Sequence, residues 1–161
     1  DKVCGLVSLV SIKGEDVMVE EVVTVEVEDS VKKAVELMNK HEIGCLIVVK
    51  RGKAVGIVTE RDMLQRVLVG ARDPTKTKVR EIMSSPLVVG NSQMEIEDAV
   101  RLMFEMKVKK LPIVDKGRLV GLVTLTDLAR YQPQMIELLK KIVATQMTPK
   151  RMKKVIDYYI A

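Results

Sequence analysis

Aromatic side chains are nearly missing from this chain. Of 161 residues only Phe104, Tyr131, Tyr158 and Tyr159 carry a ring of that kind, and there is no tryptophan. Proteins that stack single-stranded bases need aromatic platforms, so four rings, two of them side by side near the C-terminus, argue against that mode of binding. Cys4 and Cys45 are the only cysteines and His41 the only histidine. No Cys or His pair stands at ligand spacing, which removes a zinc pattern, and two distant cysteines make no disulfide framework. A reduced, cytoplasmic compartment is the expectation. No apolar run is long enough to span a bilayer and no secretory signal is evident, so no membrane partner is expected. The chain opens on Asp1 rather than Met, which leaves trimming of the N-terminus open.

What is present is a balanced globular composition, 47% hydrophobic and 30% charged, well away from the disordered class. The net charge of +5 is uneven. From Pro133 onward six basic residues face two acidic ones, Glu137 and Asp157, so the tail carries most of the excess and the body is close to neutral.

The strongest feature is a repeat. Gly56-Ile57-Val58-Thr59-Glu60-Arg61-Asp62 returns as Gly121-Leu122-Val123-Thr124-Leu125-Thr126-Asp127, 65 residues later. At the same offset, without a gap, Met18 matches Met83, Ala34 matches Ala99, Leu46 matches Leu111 and Gly52 matches Gly117. A unit of this size seen twice implies two copies of one supersecondary unit. Each is too small to bury much core alone, so the copies should pack as a pseudo-twofold pair. The expected organisation is a lead-in over residues 1–14, one repeat over 15–70, a second over 79–131, and a basic helical tail over 132–161.

Within each repeat the pattern reads β-α-β-β-α, an α/β (α+β) fold. In the first, residues 22–27 are β-branched and read as a strand. Ser30 is a helix N-cap, and Val31, Ala34, Val35 and Met38 form one apolar face. Residues 46–49 and 54–58 are short apolar runs joined by a glycine turn, a hairpin. A second helix starting at Thr59 should carry Met63, Leu64, Val67 and Leu68 inward. In the second repeat residues 87–89 form the first strand, Ile96, Ala99, Val100 and Met103 the helix face, and residues 111–114 and 119–123 the hairpin. Residues 6–12 allow a lead-in strand. In the tail, Met135 to Val143 and Met152 to Tyr159 are spaced for two amphipathic helices, the second capped by Thr148-Pro149. Met38, Met103 and Met106 read as core filler. His41 reads as a surface residue at a helix end, with a phosphate contact as the sharper alternative.

The order of elements, the Met before each first strand, the Leu-Pro-Ile-Val run at residues 111–114 and the G-h-x-T-x-x-D signature in both copies resemble the cystathionine-β-synthase (CBS) domain family in its tandem form, the Bateman module. The resemblance covers about residues 15–130. It implies a binding module rather than an enzyme, with adenosine-containing ligands held in clefts between the repeats. AMP, ADP or ATP is the expected ligand, with S-adenosylmethionine also possible, and no cofactor is required. It further implies a disc-like homodimer, and an effector protein, unidentified, that reads the ligand.

By the family pattern the first cleft joins Val58, Thr59, Arg61 and Asp62 to Ile82, Val108, Lys109 and Lys110. The second joins Val123, Thr124, Thr126 and Asp127 to Val17, Ile43, Gly44 and Cys45. Lys109 and Lys110 stand where Gly44 and Cys45 stand in the other copy, so the first cleft should be cationic and favour phosphate. Each T-x-x-D turn also fits a capping box, a purely structural use of the same residues. The two uses are compatible: a carboxylate has only acceptors and can receive a ribose diol, while a helix start favours anions.

Three function classes remain: an adenine-nucleotide sensor, a structural dimerisation module with vestigial clefts, and a nucleic-acid-associated regulator using the basic tail. The tail's broad apolar faces need burial, which ranks the last below packing on the body. An enzyme is disfavoured, since the chain shows no metal cluster, catalytic dyad or P-loop.

Overall fold

The structure, a computed structural model, describes residues 12–131, with side chains described through Leu128. The expected tail helices, and the lead-in strand apart from Ile12, lie outside the described residues. The chain divides into two compact units, Asp1–Thr124 and Leu125–Ala161.

The first repeat begins with a short helix α1 (Gly14–Val17), followed by strand β1 (Thr24–Glu26) and helix α2 (Val31–His41). Ser30 caps α2, its Oγ accepting from the Lys33 N–H at 3.2 Å. Val31, Ala34 and Met38 are buried on one face, while Val35, at the edge of the stripe, stays 42% exposed. Strands β2 (Cys45–Lys50) and β3 (Lys53–Thr59) pair antiparallel. Their turn needs left-handed backbone at both central residues, Arg51 (φ 51°) and Gly52 (φ 77°), the primed turn that matches strand twist. β1 lies parallel to β2, giving the order β1-β2-β3.

The chain then enters α3 (Glu60–Asp62) and continues as a π-helical segment, Met63–Leu68. The wider winding shows in the Val69 N–H, which donates to the Leu64 carbonyl five residues back at 3.0 Å. It changes which side chains turn inward. Val67 is buried, but Leu64 and Leu68 are 57% and 71% exposed, contrary to the expectation from a regular helical period.

The second repeat opens with a 3₁₀ turn (Val79–Glu81), then α4 (Ile96–Glu105), β4 (Lys110–Asp115) and β5 (Arg118–Thr124). Ile96, Ala99, Val100 and Met103 are all buried, whereas Met106 is 52% exposed and is not core filler. The hairpin turn repeats the same backbone at Lys116 (φ 48°) and Gly117 (φ 77°). The strand expected at residues 87–89 does not form. A single parallel bridge, Gly90 to Ile113, replaces it. Position 112 supplies the reason. In the first repeat the Ile47 N–H donates to the Val23 carbonyl at 3.4 Å; its counterpart is Pro112, which has no N–H to donate. The second unit contributes α5 (Leu125–Tyr131) to the described residues.

Within the first unit the repeats exchange their leading segments. The Gly14 N–H donates to Met94 O at 2.8 Å, and 65 residues on, Val79 N–H donates to Asp29 O at 2.9 Å. Val19 and Leu122 exchange both backbone bonds, at 2.9 and 3.0 Å, just as Ser84 and Ile57 do at 2.9 and 3.1 Å. Each leading segment therefore closes the free edge of the other repeat's hairpin, which would otherwise expose unpaired N–H and C=O groups. Val79 and Ile82 of the second segment join Val25, Val31, Leu46 and Val58 in the first repeat's core. The segments come close because Gly56 and Gly121 lack side chains. A Cβ on Gly56 would stand 2.9 Å from Met83 Sδ, and one on Gly121 2.4 Å from Met18 Sδ.

Candidate functional site

The exchange leaves a cleft at the C-terminal end of each hairpin. The first, of about 560 Å³, lies between the end of β3, the segment after the 3₁₀ turn, and the α4–β4 connection. The second, of about 230 Å³, lies between the end of β5, the segment after α1, and the α2–β2 connection. Nine wall positions correspond at the offset of 65, among them Thr59 with Thr124, Ile57 with Leu122, Val108 with Ile43 and Ser84 with Val19. These are two versions of one site.

Strand alternation decides which residues reach the walls. Thr59 and Ile57 face the first cleft, while Val58 between them is fully buried; Thr124 and Leu122 face the second, with Val123 in the core. Val58 and Val123 thus sit one residue out of phase with the walls. Ile82 is likewise fully buried and Val17 is 8% exposed; Ser84 and Val19, two residues further along, line the clefts instead. Arg61, Val108, Lys109 and Lys110 line the first cleft, and Ile43, Gly44 and Cys45 the second. Thr126 and Asp127 lie on α5, in the second unit.

Asp62 sits behind Thr59 and is 9% exposed. Its Oδ2 accepts from the Thr59 N–H at 2.8 Å and the Thr59 hydroxyl at 3.0 Å, and the Asp62 N–H donates to Thr59 Oγ1 at 3.4 Å. The capping box is therefore made. Its other oxygen faces Arg66 Nε at 3.6 Å. Arg66 also donates to the carbonyls of Ile82 (2.6 Å) and Met83 (3.0 Å), tying the turn to the segment that leads into the cleft wall.

The electrostatics of the two clefts differ. Arg61, Lys107, Lys109 and Lys110 converge on the first, with Glu60 the one acidic lining residue. The Glu60 carboxylate lies over Gly44, where a Cβ would come within 3.2 Å of it. The second is lined by one acid, Glu21, and one cation, Lys110. Lys107 takes left-handed backbone (φ 55°) at the end of α4, and the Val108 N–H then donates back to Met103 O at 2.8 Å. Glu42 (φ 52°) does the same after α2, with Ile43 N–H to Met38 O at 3.0 Å. A lysine held where glycine is usual aims the chain into the lysine-rich start of β4. His41 is exposed at the end of α2 and lines neither cleft.

The residues that sequence reasoning missed include Ile57, Glu60, Ser84 and Pro86 on the first cleft and Glu21, Val23 and Leu122 on the second. The fixed offset was a usable signal, because finding one set locates the other. Nothing in the sequence places Glu60 over Gly44. Among the described residues no group of His, Cys, Asp and Glu side chains is arranged to hold a metal ion, and no helix is long and apolar enough to cross a membrane.

Two repeats that exchange leading segments, with a cleft at each hairpin end, define a class of tandem domain. The CBS domain profile matches residues 14–69 and 79–134, and the chain belongs to the CBS domain family. Paired CBS domains are regulatory modules that often bind adenine nucleotides. The chain is 42% identical over 118 residues to the CBS domain-containing protein YhcV of Bacillus subtilis, covering 73% of this chain and 84% of that protein. It is 37% identical over 120 residues to inosine-5'-monophosphate dehydrogenase of Methanocaldococcus jannaschii, covering 73% of this chain but 23% of that enzyme. Among solved structures, a hexameric CBS-CP12 protein from bloom-forming cyanobacteria superposes with a TM-score of 0.69 at 29% identity, over 79% of this chain and 75% of that one.

Proposed function

We propose that this chain is a cytoplasmic regulatory module that binds AMP, ADP or ATP in the first cleft and carries out no chemistry of its own. The observation that carries this reading is the convergence of four cations on one cleft of about 560 Å³, a volume suited to a small-molecule ligand. Phosphates meet Arg61, Lys107, Lys109 and Lys110. The adenine lies between the aliphatic side chains of Ile57, Val88 and Val108, and the ribose meets the Thr59–Asp62 turn. A sulfonium ligand such as S-adenosylmethionine suits the less cationic second cleft better. The ligand signal passes to a partner protein.

Self-association belongs to the same proposal. Leu64, Leu68 and Val69 are exposed together along the π-helical segment and its end, Val69 by 83%, and they offer a second copy of the chain an apolar face. Nucleic-acid binding has no comparable support, because it rests on the tail.

Titration calorimetry of the full chain with AMP, ADP, ATP and S-adenosylmethionine tests the function. Saturable binding of the adenine nucleotides is expected. No binding of any of them, with the oligomer intact, would leave a dimerisation module with vestigial clefts.

A further inference from the structure

Two residues, Gly44 and Lys110, line both clefts. Lys110 begins β4, half-buried, and is paired in register with Thr124 of the second cleft, while the same residue also lines the first. Its roles in the two clefts are unequal. The first has three further cations, Arg61, Lys107 and Lys109. In the second, Lys110 is the only cationic lining residue among the described residues, set against Glu21.

We infer that Lys110 is a shared anion contact that couples the two clefts antagonistically. This deepens the nucleotide reading and rests on it for the natural ligand, though the coupling itself concerns any polyphosphate. One ammonium group on a flexible stem cannot serve two anions in full. When a polyphosphate fills the first cleft it draws Lys110 toward itself. The second cleft is then left with Glu21 alone and turns from near-neutral to negative. It rejects a second anion and favours an uncharged or cationic ligand. With the first cleft empty, Lys110 is available and the second cleft takes an anion weakly. Linkage requires the effect to be reciprocal: an anion in the second cleft weakens the first by the same factor.

The test uses the full chain and two probes, inorganic tripolyphosphate and ATP. Amide NMR follows Thr59 and Val108 for the first cleft and Val22 and Thr124 for the second. The expected result is two saturable sites, with occupancy of the first weakening anion binding at the second by roughly tenfold, inside the usual range of coupling between sites. Lys110→Met keeps most of the stem and removes the charge. It should abolish anion binding at the second cleft, weaken the first only in part, and remove the coupling. Lys107→Met, which touches only the first cleft, should weaken that cleft and leave the second unchanged. Unaltered anion binding at the second cleft in Lys110→Met, or independent filling of two sites in the unsubstituted chain, would overturn the inference. So would tripolyphosphate that never reaches the second cleft when Lys107→Met and Lys109→Met together have weakened the first. If tripolyphosphate shows the coupling and ATP does not bind, the nucleotide reading falls and the shared lysine stands. If ATP fills both clefts independently, the reverse holds, and if neither probe binds, both fall.

Discussion

Two glycines make the exchange between repeats possible. At Gly121 a Cβ would stand 2.4 Å from Met18 Sδ and 2.9 Å from Met18 Cβ, and the second of these lies close to the backbone and yields little. Gly121→Ala should therefore push the leading segment off the hairpin edge and strain the paired Val19–Leu122 bonds. A loss of about 1–3 kcal/mol is expected, the usual cost of overpacking, read as a lower urea midpoint. An unchanged midpoint would mean that the close approach is not required. The residue scale also shows the limit of motif reading. Thr59 and Asp62 were legible as a capping box and as a ligand turn. That the aspartate spends one oxygen on Thr59 and turns the other to Arg66 depends on a side chain four residues on, which the motif does not contain.

Among the elements, the π-helical segment departs furthest from expectation. A regular period brings Leu64 and Leu68 inward with Met63 and Val67, and the extra residue in the turn brings them out. Their exposure gives the self-association proposal a direct test. Leu68→Glu should leave the unfolding free energy, measured at concentrations where both proteins are monomeric, within about 0.5 kcal/mol of the parent, as for a surface change, while light scattering at higher concentration shows a smaller oligomer. A retained oligomer would place the contact elsewhere. The missing strand at residues 87–89 is the opposite case. Its β-branched residues were visible and so was Pro112, but the missing donor matters only once the Gly90–Ile113 bridge is known to set Pro112 opposite Val89. Propensity is local, and pairing is not.

Over the whole molecule, the repeat was legible because each copy keeps the same apolar positions at a constant offset. The exchange of leading segments was legible only through the family resemblance, which joins Ile82 to Val58 and Val17 to Val123, since pattern alone does not say which copy's edge a segment covers. The wall residues Ile57 and Leu122 were missed for a related reason: alternation defines two faces of a strand, and only the packed partner decides which is the cleft.

Acid should loosen the first unit. Glu28 is held below the usual carboxylate range chiefly by its hydrogen bond from Lys78, Asp73 by Thr75, and Asp115 by Ser92. At Asp29 burial pushes upward, but the bonds from Lys33 and the Glu26 N–H outweigh it. A carboxyl lowered in the folded state contributes stability above its unfolded pKa of about 4 and loses it as pH falls through the folded value. The urea midpoint should hold between about pH 5 and 7 as far as these groups decide it, and drop by about pH 3. A midpoint equal at pH 3 and 7 would contradict this.

The calorimetric titration with ATP, run side by side on the unsubstituted chain and on Lys109→Ala, tests the assignment of the nucleotide to the first cleft most directly. Lys109 lines that cleft alone and is solvent-exposed, so its loss should leave folding intact and weaken ATP binding several-fold, with a smaller effect on AMP. Equal affinity for ATP in the two proteins would contradict the assignment.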